Sequence, residues 1–267
     1  MADFEQIISR FSLEGKVCVI TGAGRGIGAQ CARLFAQAGA TLLIAARTKA
    51  DLENVANDID SYGSSSQIVA CDLSDLEKVS SLAQIAKDKF GRLDIVINNV
   101  GGTMPRAILD TSPRYLEEAF HFNVATAHAL VRAATPIILQ SSSGSIVNIS
   151  SIMGRVSGRG YLAYGTAKAA LAHYTKLAAR DLAPKIRVNA IAVGSVATSA
   201  LDIIMADETM KSSMEQATPL RRIGEPIEVA LGALFLASDA SSYITGKVLE
   251  IDGGLETPNL DLAIEDL

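Results

Sequence analysis

Residues 16–28 read KVCVITGAGRGIG. The unbroken apolar run Val17–Ile20 is what a parallel strand buried on both faces requires, because neither side of such a strand meets water. Glycines at 22, 24, 26 and 28 then turn the chain into a helix predicted to begin near Ile27 and continue to Gly39. Glycine at these places lets backbone approach a pyrophosphate, and the first amides of the helix point at it. A glycine-rich loop alone says little, but between a buried strand and the amphipathic run AQCARLFAQAG it predicts a dinucleotide site. That site is built from Gly22, Arg25, Gly26, Ile27 and Gly28.

Outward from this unit, TLLIAA reads as a second strand ending about twenty residues on, where an NAD site places an acid on the adenosine ribose. The chain has Ala45, Ala46 and Arg47 there. A guanidinium in place of a carboxylate suits a 2′-phosphate, with Arg25 as a second cation, so the cofactor is expected to be NADP(H) in preference to NAD(H). Asp72 and Leu73, after the strand SQIVACDLSD, are placed to meet the adenine, although an acid there is also a common helix N-cap. In LDIVINNVGG, Asn98, Asn99 and Gly101 fall at a strand's carboxyl end, beside the crevice where open parallel sheets bind ligands. The paired asparagines are expected to fix the loop that lines the cofactor. SGSIVNISS, IRVNAIAVGSVAT and GKVLEIDGG complete seven strands, with helical stretches between them. The alternation predicts one α/β domain over 1–267: a doubly wound, parallel, seven-stranded sheet with helices on both faces.

The chemistry is concentrated in SSIMGRVSGRGYLAYGTAK, residues 150–168. If the Ala-rich run after Gly160 is helical, Tyr164 and Lys168 share one face a turn apart. An ammonium beside a phenol favours the phenolate and is expected to lower the tyrosine pKa from about 10 towards working pH. Such a tyrosine exchanges a proton with a carbonyl or alcohol oxygen while Ser151 hydrogen-bonds the same oxygen. Ser150 should face the other way by strand alternation. Tyr161 has Gly165, not lysine, four residues on. A half-buried aromatic beside a solvated lysine would give the same short pattern, and the surrounding strands and glycine loop are what favour the catalytic reading.

Composition narrows the partners. Of 267 residues, 49% are hydrophobic, enough for a sizeable core, and the net charge of −5 without a basic block argues against nucleic acid. His121, His128 and His173 lack metal-ligand spacing, and Cys18, Cys31 and Cys71 read as reduced core thiols. The first residues, MADFEQIISRFSLEGK, lack a signal-peptide layout, and no stretch of about twenty apolar residues exists. A cytoplasmic protein that does not enter the membrane is expected.

Taken together, T21-G-A-G-R-G-I-G28, N98-N-V-G101, Ser151, Y164-G-T-A-K168 and the I186-R-V-N-A-I-A run resemble the short-chain dehydrogenase/reductase family over nearly the whole chain. The resemblance implies a Rossmann-type oxidoreductase acting on CH–OH groups, with a tetrad of Asn123, Ser151, Tyr164 and Lys168. Asn123 would hold a water relaying protons to Lys168, and Lys168 would also grip the nicotinamide ribose. Gly194, Val196 and Thr198 would serve the nicotinamide side, residues 193–225 a substrate lid, and the assembly would be a homotetramer. Val193 stands where the family commonly has proline, which should loosen the following loop. In the lid, Leu201, Ile203, Ile204, Met205, Met210 and Met214 form either an adaptable apolar wall or the packed side of two short helices. Met104 and Met153 would join the pocket, and Arg106, Arg155 and Arg159 are expected to be solvated, the alternative being that they favour an acidic substrate or carrier protein. The chain is similar to bacterial hydroxysteroid dehydrogenases and 3-oxoacyl-carrier-protein reductases, so the small-molecule substrate is a steroid-like alcohol, an acyl thioester or another carbonyl. An NADP(H)-sensing binding protein, or a lyase or epimerase on the same fold, are the alternatives. The acidic tail, 256–267, is expected either to pack on a neighbouring subunit or to stay loose.

Overall fold

The apolar run of the glycine motif lies in the middle of the sheet. In a computed structural model, which describes residues 4–141, 143–260, 262 and 264, α1 (Phe4–Ser9) precedes β1 (Val17–Thr21) and α2 (Gly26–Gln37). The chain continues through β2 (Thr41–Ala46), α3 (Lys49–Ser61), β3 (Ser66–Ala70), α4 (Leu76–Phe90) and β4 (Ile95–Asn98). Then come α5 (Pro113–Phe120), α6 (Thr126–Ile138), β5 (Gly144–Ser151), α7 (Leu162–Leu182) and β6 (Ile186–Val193). The last elements are α8 (Asp202–Met205), α9 (Glu208–Ala217), α10 (Pro226–Ala237) and β7 (Val248–Ile251). The seven strands pair in parallel in the order β3-β2-β1-β4-β5-β6-β7. Reversal of direction between β1 and β4 opens a crevice at their carboxyl ends.

Side-chain alternation along β1 explains why its sequence is apolar throughout. Cys18 and Ile20 enter a layer with Phe35 of α2 and Val229 and Ala233 of α10. Val17 and Val19 enter the opposite layer with Leu82 of α4 and Leu130 of α6. Both faces are therefore dry, as a doubly wound sheet demands. Cys18, Cys31 and Cys71 are free thiols. Among the described residues, no helix is long and apolar enough to cross a membrane.

Two local features depart from the linear reading. The helix after β3 is capped by Asp75, whose carboxylate accepts from the amides of Glu77 and Lys78, so Asp72 is not the N-cap. The long helix after Ser112 is interrupted by a π-helical turn at His121–Ala125, where the Thr126 amide reaches the His121 carbonyl five residues back.

At the opposite end of the sheet, Asp94 ties strand entrances together. Its carboxylate, 1% exposed, accepts the Val17 amide at 2.9 Å and two Arg92 hydrogen bonds at 2.7 and 2.8 Å. Asp94→Ala would strand the Val17 amide, so it should lower stability by about 2–3 kcal/mol in urea denaturation, with cofactor affinity at the far end unchanged.

Candidate active site

The glycine loop at the head of β1 is shaped by contacts that exclude side chains. Gly22 and Gly26 hold φ of 66° and 55°, a region costly for other residues. A methyl on Gly28 would lie 2.2 Å from the Gly22 carbonyl oxygen, and one on Gly26 would lie 3.2 Å from the Thr198 methyl. Arg25, the N-cap of α2, makes no side-chain capping hydrogen bond, so the first-turn amides are left for an anion. Arg25 and Arg47 are exposed. These features fit a nicotinamide dinucleotide, with its pyrophosphate at the α2 terminus, and Thr198 closes the same cleft from the β6 side.

The adenosine end is more mixed than the sequence suggested. Asp72 is exposed, and its carboxyl is held below the usual range by the Ser74 amide and hydroxyl, with Arg47 adding its charge. Leu73 is buried in the layer containing α4, so its side chain serves the core. Val196 is likewise in the core and bridges Gly224, leaving its backbone for any cofactor contact. Asp51, in the first turn of α3, was not singled out from the sequence. A methyl on Gly24 would lie 3.1 Å from its Cβ and 3.7 Å from Oδ2, which sets a carboxylate against the glycine loop.

The two asparagines after β4 separate into different roles. Asn99 donates to the carbonyls of Thr21 and Gly22 at 3.2 and 3.1 Å and so fixes the glycine loop. Asn98 turns inward, donating to Asn148, which donates to Thr175 on α7. It is a core polar link, so of the pair expected to fix the loop that lines the cofactor, Asn99 holds the glycine loop and Asn98 does not.

Asn123 sits in the π turn, fully buried. Its oxygen accepts the Gly102 amide at 2.9 Å, and its nitrogen donates to the Gly102 and Ala119 carbonyls. A methyl on Gly101 would be 2.5 Å from Lys168 Nζ and 2.7 Å from Asn123 Oδ1, so both polar groups press on that glycine. Lys168 is 3% exposed and donates to the Ile149 carbonyl at 2.9 Å. Ser151 ends β5 close enough to the Tyr164 phenol to act on its pKa, and its oxygen accepts the Met153 amide. Asn123, Ser151, Tyr164 and Lys168 thus converge from π turn, strand end and helix. Ser150 faces away, donating to the Lys168 carbonyl at 3.0 Å.

The expected electrostatics are reversed. Burial raises the Tyr164 pKa, the Ser151 hydrogen bond pulls it down, and Tyr161 nearby raises it further. Lys168, its Nζ 5.8 Å from the Tyr164 ring centre, is itself pushed down to about 8 by burial. Desolvation dominates both groups and disfavours charge on each.

The substrate side also differs from expectation. Val193 does not loosen its loop: it ends β6 in register with Ser151 and Ile251, and the Gly194 amide donates to the Ile251 carbonyl. A methyl on Gly194 would lie 2.5 Å from the Asp252 Cα, so β7 clamps this turn. Ile204 and Met214 are buried together with Ile223, and Leu201 and Met205 pack partly against them. Met210 is exposed, and the Ile203 side chain lies outside the described ones. Met104 is also exposed, whereas Met153 packs on Ile152 and Leu255. The three arginines are engaged and not merely solvated. Arg155 meets Glu250, Asp252 and Glu256; Arg159 donates to the Ile264 carbonyl; Arg106 lies 3.8 Å over the Tyr115 ring. The described part of the tail packs on its own subunit, while residues 261, 263 and 265–267 lie outside the described residues.

A glycine loop at the switch point of a parallel sheet, with serine, tyrosine and lysine converging beside it, defines a nicotinamide-dependent oxidoreductase. Residues 22–256 match the family described as enoyl-(acyl carrier protein) reductase. An uncharacterized oxidoreductase of Mycobacterium tuberculosis is 57% identical over 262 residues, 98% of this chain and 100% of that protein. A 7α-hydroxysteroid dehydrogenase solved with NADH and 7-oxo glycochenodeoxycholic acid superposes with TM-score 0.88 at 34% identity, covering 92% and 96% of the two chains. RhlG of Pseudomonas aeruginosa, solved as an NADP active-site complex, gives 0.86 at 32% identity, covering 92% and 98%. The chain belongs to the short-chain dehydrogenase/reductase family and is an NAD(P)-dependent oxidoreductase that works by hydride transfer.

Between its folded pKa of about 8 and the ordinary 10.5, Lys168 is neutral in the folded chain and charged in the unfolded one. Its burial therefore destabilises fully below pH 8, and the penalty fades as pH rises towards 10.5. In the cofactor-free protein, Lys168→Met should raise Tm at pH 7 by several degrees, and the gain should shrink towards pH 10 in thermal melts.

Proposed function

We propose that the protein is an NADP(H)-dependent carbonyl reductase, reversible as a secondary-alcohol dehydrogenase, with Tyr164 as its acid and base. The observation that carries this reading is the convergence of Ser151, at the end of β5, with the Tyr164 phenol and the buried Lys168. Ser151 orients the substrate oxygen, and Tyr164, kept protonated at neutral pH by burial, donates its proton to that oxygen. When bound, the reduced cofactor supplies hydride to the carbonyl carbon. Lys168 holds the nicotinamide ribose and returns a proton to Tyr164 from the side where Asn123 lies. In the reverse direction Tyr164 accepts the alcohol proton.

Arg25 and Arg47 support the 2′-phosphate. One solved relative carries NADH and another NADP, so the preference for NADP(H) rests on these two exposed cations and not on the resemblance. The homotetramer rests on exposed apolar residues of α7, Leu162 and Leu177. Tyr164→Phe should reduce kcat for ketone reduction by about 10²–10⁴-fold while NADPH affinity, read from nicotinamide fluorescence, stays within experimental error. Preserved turnover would remove Tyr164 as the acid. Arg47→Asp should weaken NADPH by about ten- to a hundredfold with little change for NADH, measured by titration. Equal affinities before and after would move phosphate recognition elsewhere.

A further inference from the structure

The loop between Ser151 and Tyr164 joins the two hydroxyl-bearing residues, and the C-terminal segment is packed along it. A methyl on Gly158 would lie 2.8 Å from the Pro258 ring and 3.2 Å from the Met153 methyl. One on Gly160 would lie 2.6 Å from Ile264, 2.9 Å from Leu262 and 3.4 Å from Pro105. From the other side, Asn259 accepts from Ser195 at 2.8 Å and donates to Thr218 at 2.8 Å, and Leu260 packs with Ile204 and Met214. The segment thus joins the catalytic loop to the lid helices. Its apolar residues, Pro258, Leu260, Leu262 and Ile264, recur every second position, with Leu260 turned to the lid cluster and the others to the loop.

Arg155 fastens the start of this segment. It donates to Glu256 at 2.6 Å and to the Leu255 carbonyl at 2.7 Å, and it meets Glu250 at 3.0 Å and Asp252 at 3.7 Å. Three carboxylates surround one guanidinium, so this part of the rim offers no net cation to an acidic substrate. Arg159 is tied to the Ile264 carbonyl. The tail beyond Leu255 contributes acids and no bases, and acids repel an anionic ligand or partner.

We infer that residues 256–260, with Leu262 and Ile264, are the chain's own substrate-pocket wall, fastened by Arg155, and that they select neutral, apolar carbonyl compounds over charged ones. The inference rests on the reductase reading for what lies at the hydroxyls, but the wall is a matter of binding and is tested without turnover. Pro258, Leu262 and Ile264 supply the apolar contact, and Arg155 is a positioning residue for them.

The test uses the Tyr164→Phe protein loaded with NADPH, with ligand binding followed by nicotinamide fluorescence. The probes are 2-decalone, a neutral bicyclic ketone, and acetoacetate, a small anionic one. The starting protein should prefer decalone. L262A/I264A should weaken decalone by about tenfold and leave acetoacetate and NADPH unchanged. R155Q should weaken decalone likewise, and R155K should recover most of the loss. Equal weakening of both ketones, no change in either, or a starting preference for acetoacetate would overturn the wall. If decalone binds selectively but the unmutated enzyme oxidises no NADPH with it, the reductase reading fails and the wall stands.

Discussion

A lysine ammonium held out of water near the Tyr164 phenol is the constraint around which the site is assembled. Burying such a charge is costly unless polar groups surround it. Lys168 finds the Ile149 carbonyl at the end of β5 and lies against Gly101, beside which the amide oxygen of Asn123 also lies. Any side chain at 101 would collide with both groups. The π turn at His121–Ala125 completes the arrangement. It carries Asn123 inward, where the side-chain nitrogen takes the Ala119 carbonyl and the oxygen takes the Gly102 amide. Helix, strand and loop therefore meet at one buried cation, and their positions are mutually dependent.

That dependence accounts for which parts were readable in the sequence. Strands buried on both faces must be apolar along their length, so Val17–Ile20 and its neighbours announce a parallel sheet, and the glycines after β1 mark its switch point. The step from Tyr164 to Lys168 lies within one helix, so local periodicity fixes it. Ser150 and Ser151 separate by alternation on one strand, and the structure turns Ser150 to the Lys168 carbonyl as that alternation requires. In each case the signal and its structural consequence lie within a few residues.

The unread features all depend on approach across the fold. Asp51 meets the glycine loop only because α3 packs its first turn against Gly24. Asn98 and Asn99 are adjacent in sequence, yet the end of β4 sends one into a ladder with Asn148 and Thr175 and the other to the glycine loop. The π turn has no compositional mark in HFNVA. The Tyr164 shift runs against what proximity to lysine alone predicts, because its largest cause is desolvation by the packing around it. For a phenol packed between Tyr161 and Ser151, the loss of water is the larger effect.

The C-terminal segment shows how charge can hide a structural pattern. Read by composition, TPNLDLAIEDL is an acidic tail, and acidic tails are ordinarily solvated. Read by position, every second residue from Pro258 to Ile264 is apolar, which a solvated tail has no reason to maintain. The same division applies to Arg155: alone it is a surface cation, but Glu250, Asp252 and Glu256 approach it from β7 and from the segment that follows. Asp252 is held there by backbone geometry as well, since its Cα leaves no room for a side chain at Gly194. Arg155 is thus outnumbered by the carboxylates around it, and the wall proposed for this rim acts through shape and apolar contact.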